Sequence, residues 1–540
     1  MRLLLALLCL AASGWAADVY RYGRFEASFT ASKDYDDPLE LNVVVDFTGP
    51  GRAQARVPAF WDGGRTWKVR FSPEKTGNWT YRVQSSEASE TGLHGKTGRF
   101  HAKAYRGANQ LYLHGAPRVA PSGHSFMHAD GRPWFWLGCT GWNSAIMSTD
   151  EEWSRYLQDR QAKRYTAIQF VMAAPWRAGR KDENGRVAFA MNGRLSVDPD
   201  YFRRMDRKMD QMNDRDLVGI GVLLWALTSR DNESAGAALS IPDAVKLARY
   251  MSARYGAHGM IWLLGGDGNY ERGDGPERWK QIGRGTFPKD ELRRPVSLHP
   301  GGMRDPWVHF KDEYWLDFYN YQTGHGNDQA KWEWNATKGT ASGWKMTPAK
   351  PVVDTEPNYE GHLSYRDGKM IGADNVRRAV WYSLLAGPPA GVTYGAHGIW
   401  YWSRTAAVPL DHANTGVAQP WHEYLEYPGS KQMTIVRNVM ENMPWWKLEP
   451  NRFLLASEPD RVDWTAYPMP ASTSDGKFAL IYLPNNPSIE LNLTDFGDAR
   501  ATWIDPRTGA RSLAGRLKEA ARVPLKTPGV GDWLLQLRKD

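Results

Sequence analysis

Two carboxylates stand where apolar runs end. One run reads Ile261-Trp262-Leu263-Leu264-Gly265-Gly266 and is followed by Asp267-Gly268-Asn269. The other reads Val352-Val353-Asp354-Thr355 and is followed by Glu356-Pro357-Asn358-Tyr359-Glu360. Two acids facing one cavity can cleave a glycosidic bond: one protonates the leaving oxygen, and the other attacks the anomeric carbon or activates water. Plainer readings stand beside this one. Asp267 in Gly-Gly-Asp-Gly-Asn suits a turn, Glu356 suits a paired surface acid, and Asp354 could be the working carboxylate instead. The glycines before Asp267 would let backbone approach a ligand closely.

Other run ends carry polar and aromatic groups. They are Trp142 after Cys139-Thr140-Gly141, His299 before Pro300, and Gln322 and His325 in Tyr321-Gln322-Thr323-Gly324-His325. Tyr394, His397 and Trp400 follow in Tyr394-Gly395-Ala396-His397-Gly398-Ile399-Trp400. His and Gln can bond sugar hydroxyls, and Trp or Tyr can stack on a ring. His299, His325 and His397 could instead ligate a metal, although no His-Glu-x-x-His or His-x-His spacing occurs. No Gly-x-Ser-x-Gly elbow, Walker loop or dinucleotide fingerprint after a strand is present. Cys139 as a nucleophile would need a nearby base, and its neighbours supply none.

Elements must carry these residues to one place. Short apolar runs at 134–137, 167–172, 218–224, 260–264, 295–298, 316–321, 351–355 and 391–394 read as eight strands. Helical stretches at 150–163, 201–214, 242–255 and 373–385 separate several of them. That alternation predicts a (β/α)8 TIM barrel over residues 107–443, whose site would form at the C-terminal strand ends. Residues 17–106 and 444–540 instead show short alternating strands punctuated by turns, which predicts a β-sandwich on each side of the barrel.

Composition bounds the function. The chain has 540 residues, 42% hydrophobic and 12% aromatic, which excludes disorder as its main state. Two cysteines exclude a disulfide scaffold. Residues 1–16 read as a signal peptide cut near Ala16, which predicts a secreted or periplasmic protein. No later run reaches the roughly 18 apolar residues that a bilayer span requires, so no membrane insertion is expected. A net charge of +8 mildly favours anionic partners such as pectin-like polymers. Like charges form no long block, which argues against nucleic acid. Trp, at 26 residues, offers flat apolar faces suited to sugar rings, though most indoles are expected in the core.

The catalytic region resembles the apiosidase-like glycoside hydrolases (glycoside hydrolase family 140 and relatives). The resemblance is carried by Phe135-Trp136-Leu137-Gly138, Trp262 to Asp267, Leu298-His299-Pro300, Tyr321 to His325, Glu356 to Glu360, and Val392 to Trp400. The flanking β regions are similar to the modules that accompany such barrels. The resemblance implies a (β/α)8 barrel with Asp267 as acid/base and Glu356 as nucleophile; no cofactor or metal is expected. The family's named activity removes apiose from a pectin side chain, and its members need not share that substrate. Relatives usually read Gly-Asp-Thr-Ala-Trp where this chain reads Gly138-Cys139-Thr140-Gly141-Trp142, which would remove a charged acceptor near the sugar. The expectation is therefore a glycoside hydrolase, probed by a polysaccharide or oligosaccharide substrate. Its contacts would be Trp142, His299, Gln322, His325, Tyr359, Tyr394, His397 and Trp400. The competing readings are a non-catalytic carbohydrate-binding protein, favoured if the carboxylates lie more than ~10 Å apart, and a metal-dependent hydrolase or lyase.

Overall fold

The eight apolar runs form eight strands of one parallel sheet. We number them β1 (Trp136–Thr140), β2 (Ala167–Val171), β3 (Val218–Trp225), β4 (Met260–Gly266), β5 (Val296–His299), β6 (Tyr319–Tyr321), β7 (Val352–Asp354) and β8 (Gly391–Ala396). Hydrogen-bonded neighbours run β5-β4-β3-β2-β1-β8-β7-β6. Between β5 and β6 the ladder is replaced by two bridges. The Asp317 N–H donates to the Val296 carbonyl (2.8 Å), and the Ser297 hydroxyl donates to the Phe318 carbonyl (2.7 Å). The result is a nearly closed (β/α)8 barrel. Its strands are buried on both faces, which is why they read as continuous apolar runs rather than alternating ones. The computed structural model describes residues 19–174, 181–227, 234–388, 390–410, 412–459 and 461–539. The expected signal peptide lies outside the described residues.

The helix Asp150–Ala162 shows how local sequence sets an element. Thr149 and Glu152 exchange side-chain and backbone hydrogen bonds in a capping box, and Trp153, Tyr156, Leu157 and Arg160 form one buried face. Helices Pro199–Asn213, Ile241–Tyr255 and Ala373–Ala386 fill the other expected stretches. Gly275–Thr286 is a further helix that the sequence pattern does not show, because three glycines interrupt it. Gly283 is there for packing: a Cβ would meet the Trp315 ring at 2.2 Å.

β1 begins two residues later than the sequence pattern suggests, and this moves Cys139 inside the strand. Its thiol faces outward, where it accepts from Arg160 Nη1 at 3.5 Å on the covering helix. Burial raises its pKa, so it stays a thiol. The departure from the Gly-Asp-Thr-Ala-Trp pattern therefore alters the packing behind β1 and not the strand-end rim.

Mostly antiparallel sheets flank the barrel on both sides in sequence. A five-stranded sheet faces a three-stranded one in the N-terminal region, with Val45, Phe47, Val69 and Phe71 between them. Arg70 in that region bonds Asp206 Oδ2 at 2.7 Å, and Arg254 bonds the same oxygen at 2.7 Å. Both guanidiniums lie over the Phe60 ring. In the C-terminal six-stranded sheet, alternation serves two cores. Ala479, Ile481 and Leu483 face the module's own core, whereas Leu480 and Tyr482 join the barrel core.

Candidate active site

The candidate side chains come from the C-terminal ends of β4, β5, β6 and β7 and the residues that follow them. Asp267 follows Gly265 and Gly266, and these glycines make room for indoles rather than for a ligand. A Cβ on Gly265 would meet Trp279 at 2.5 Å, and one on Gly266 would meet Trp225 at 2.4 Å. Asp267 itself sits at φ +52, a left-handed conformation that non-glycine residues rarely adopt, and its N–H donates to the His299 carbonyl at 2.9 Å. Strain of this kind persists where the surroundings over-determine the backbone, often at functional sites.

Glu356 is 4% exposed and accepts from two imidazoles. His299 Nε2 lies 3.0 Å from Oε2, and His325 Nε2 lies 3.0 Å from Oε1. A carboxylate has no hydrogen to give, so both rings carry theirs on Nε2. Burial alone would raise the Glu356 pKa. The two imidazoles outweigh it and bring the group from 4.5 down to about 2, so it is ionised. The same His299 Nε2 lies 3.8 Å from Asp267 Oδ1. Together the two His299 contacts cap the Asp267 Oδ1 to Glu356 Oε2 separation at about 6.8 Å.

His299 is itself fixed from behind. Its Nδ1 lies 3.0 Å from the Thr355 hydroxyl, which donates to Asn320 Oδ1 at 2.6 Å. Tyr359 packs on His325 with ring centroids 4.2 Å apart. Its hydroxyl lies beside Glu356, Thr140 and Trp142, and burial followed by the Glu356 charge keeps it protonated. Gly395 is required opposite, because a Cβ would meet the Tyr359 ring at 2.0 Å. Gln322 follows β6 and is nearly buried. Among the described residues its side-chain oxygen has no hydrogen-bond partner.

Other expected contacts are placed differently. Trp142 is fully enclosed between Trp225 (5.0 Å) and His299 (5.1 Å), and Trp400 is also enclosed, with its Nε1 donating to His397 Nδ1 at 3.1 Å. Neither indole presents an open face, because each fills space between neighbouring rings. Tyr394 donates to Glu360 Oε2 at 2.7 Å, and His397 has its other nitrogen 3.2 Å from the Gly416 carbonyl. Both of these side chains are committed to protein partners. Asp354, the alternative carboxylate, is buried and accepts from the Thr323 and Ser383 hydroxyls at 2.7 Å each. It organises the turn that carries Glu356, whose N–H it accepts at 3.3 Å.

Two residues that sequence reasoning did not single out lie beside this group. His362 packs 4.4 Å from His325 and 5.0 Å from His397, and burial holds it neutral. Tyr365 is 46% exposed, with its N–H donating to the His325 carbonyl and its hydroxyl 3.0 Å from His412 Nε2. Their nearness to Glu356 in sequence is the only signal that could have marked them. Of the imidazoles weighed as a metal triad, His299 and His325 both hold Glu356, whereas His397 pairs with Trp400 and the Gly416 carbonyl. Among the described residues, no three His, Cys, Asp or Glu side chains are placed to hold a metal ion.

A model of the apiosidase-like catalytic domain matches residues 120–447. The chain belongs to the apiosidase-like family. It is thus a glycoside hydrolase whose substrate is a carbohydrate. In this apiosidase-like chain, residues 18–86 match a domain of unknown function (DUF5060), and residues 457–538 match a domain model named for collagen binding by a collagenase. Solved structures share the fold. A glycoside hydrolase is 21% identical, with TM-score 0.69, over 79% of this chain and 98% of its own. A family 5 glycoside hydrolase from Bacteroides vulgatus is 22% identical, with TM-score 0.67, over 79% and 93%. A third structure, from the same organism, is 18% identical with TM-score 0.69 over 97% and 100%. A search of curated proteins found no match. No helix among the described residues of this apiosidase-like chain is long and apolar enough to cross a membrane.

Proposed function

We propose that Asp267 and Glu356 are the catalytic pair of a retaining glycoside hydrolase. The observation that carries this is the shared His299 Nε2, which lies within 3.8 Å of both carboxylates. Retaining enzymes hold their carboxyls about 5–5.5 Å apart and inverting ones about 6.5–9.5 Å, so a ceiling near 6.8 Å favours retention. It also falls well short of the ~10 Å beyond which a non-catalytic binding protein would have been the better reading.

In the first step Glu356 attacks the anomeric carbon, the glycosidic C–O bond breaks, and the Asp267 proton moves to the leaving oxygen. In the second, Asp267 takes a proton from water, whose oxygen attacks the same carbon and releases Glu356. An ionised Glu356 suits the nucleophile, and the partly exposed Asp267 suits proton exchange. Gln322, His325 and Tyr359 lie where hydroxyls of the bound sugar would be held. The substrate proposed is a plant or microbial polysaccharide or oligosaccharide, with acidic, pectin-like polymers first in line given the basic charge balance. The protein would meet it outside the cytoplasm, as the leader at residues 1–16 suggests.

The test is a panel of pectic and hemicellulosic oligosaccharides, with the product anomer followed by NMR. Glu356→Gln should abolish turnover while leaving the melting curve intact. Wild-type rates in that variant, on a substrate the parent cleaves, would remove Glu356 from the mechanism.

A further inference from the structure

A cavity of about 360 Å³ lies at the end of the barrel opposite Glu356. Three elements build it. The antiparallel pair Pro117–Val119 and Phe126–His128 lays Phe126 across the N-terminal end of the barrel, against Trp136 (5.6 Å) and Phe318 (5.6 Å). Within its turn Gly123 adopts φ +79, and a Cβ there would approach the Ala349 carbonyl to 2.9 Å. That close approach brings His124 face to face with Trp344, ring centroids 3.9 Å apart at 29°. The third wall is the single turn Trp445–Lys447. Trp445 is buried against Phe135 at 5.1 Å, which turns the next residue, Trp446, outward with 39% exposure.

The chemistry of this wall is specific. Two partly exposed indoles supply apolar faces, while Ser122, His124 and Glu449 supply polar edges. Burial keeps the His124 imidazole neutral, and among the described residues its buried Nδ1 has no hydrogen-bond partner. The Lys447 ammonium is held by Asp475 at 2.9 Å, so the wall is not a site for a lone anion. A sugar ring has the matching form: an apolar C–H face and a rim of hydroxyls. The volume lies within the roughly 300–1,000 Å³ typical of small-ligand sites. We propose that this cavity is a second saccharide-binding site, holding a unit of the polymer on the side of the barrel remote from Asp267 and Glu356. This rests on the reading of a polymeric substrate. Tethering the polymer there would raise its effective concentration at the cleft without any contact to the reacting bond.

Affinity electrophoresis of the full chain through native gels containing citrus pectin, arabinoxylan or galactomannan tests it. Glu356→Gln serves as the parent, so that the polymer is not consumed. At least one polymer should retard it, and adding Trp446→Ala should weaken that retardation about tenfold or more. Trp446→Tyr should restore it. Trp446→Ala in the wild-type background should cleave short oligosaccharides within about twofold of the parent rate. The proposal is overturned if no polymer retards the parent, if Trp446→Ala leaves retardation unchanged, or if it lowers turnover of short substrates in step with binding. Residual turnover in Glu356→Gln would strike the catalytic assignment and leave the retardation comparison between the two variants untouched.

Discussion

Replacing His325 with Leu should move the acid limb of the kcat/KM profile to higher pH. Glu356 takes one imidazole N–H on each oxygen at 3.0 Å, in a setting where burial opposes its charge. The drop from 4.5 to about 2 corresponds to a net preference for the carboxylate of about 3 kcal/mol, at roughly 1.4 kcal/mol per pH unit. A hydrogen bond to a charged group contributes roughly 1.5–3 kcal/mol, so losing one donor should raise the limb by about one to two pH units. Leu retains bulk against Tyr359 and His362, whose neutral imidazole adds no charge. His325→Gln places an amide donor at similar reach and should bring the limb most of the way back. The assay is kcat/KM against pH on one oligosaccharide, where the limb reports the free enzyme. Stability supplies a second readout. A carboxylate with a depressed folded pKa stabilises the fold fully above its unfolded value near 4.5, and this contribution fades as pH falls toward 2. The melting temperature of wild type should therefore drop more steeply across that window than that of His325→Leu. An acid limb in His325→Leu that coincides with wild type, or a limb in His325→Gln displaced equally far, would refute the reasoning.

Tyr365→Ala should raise KM about three- to tenfold with little change in kcat, because its exposed ring would stack on substrate without touching the reacting bond, and Tyr365→Trp should keep KM near wild type. An unchanged KM in the alanine variant would remove Tyr365 from the cleft. Arg70→Ala should cost about 1.5–3 kcal/mol in denaturant unfolding, because it removes one of the two guanidiniums bonded to the half-buried Asp206, while turnover per folded molecule holds. A loss below about 1 kcal/mol would mean the N-terminal sheets contribute little to holding the barrel.

Much of this architecture is legible in local pattern. Eight apolar runs announce eight barrel strands because a parallel sheet covered on both faces needs them, and turn-punctuated alternation announces the flanking sheets. Asp267 and Glu356 are legible as strand-end acids for the same reason. Residues whose role depends on burial are not. Trp142 and Trp400 look like sugar platforms by type, yet Trp142 is enclosed by Trp225 and His299 from other strands, and Trp400 by His397, Tyr401 and His412. Tyr365 has no pattern in sequence to mark it, yet its ring is left partly open beside His325. Cys139 looks like a lost sugar contact until the two-residue offset of β1 turns it toward Arg160.

The sequence by itself determined which chemical groups are available, their order along the chain, and the periodicities that make them strand ends. Only the tertiary structure decided which groups meet. His299 stands between Asp267 and Glu356 because β4, β5 and β7 bring their C-terminal ends to one rim, although the two acids are far apart in sequence. The charge state of Glu356 was decided there too. A carboxyl's pKa depends on what surrounds it in space, and here burial competes with two imidazoles, one ending β5 and one following β6.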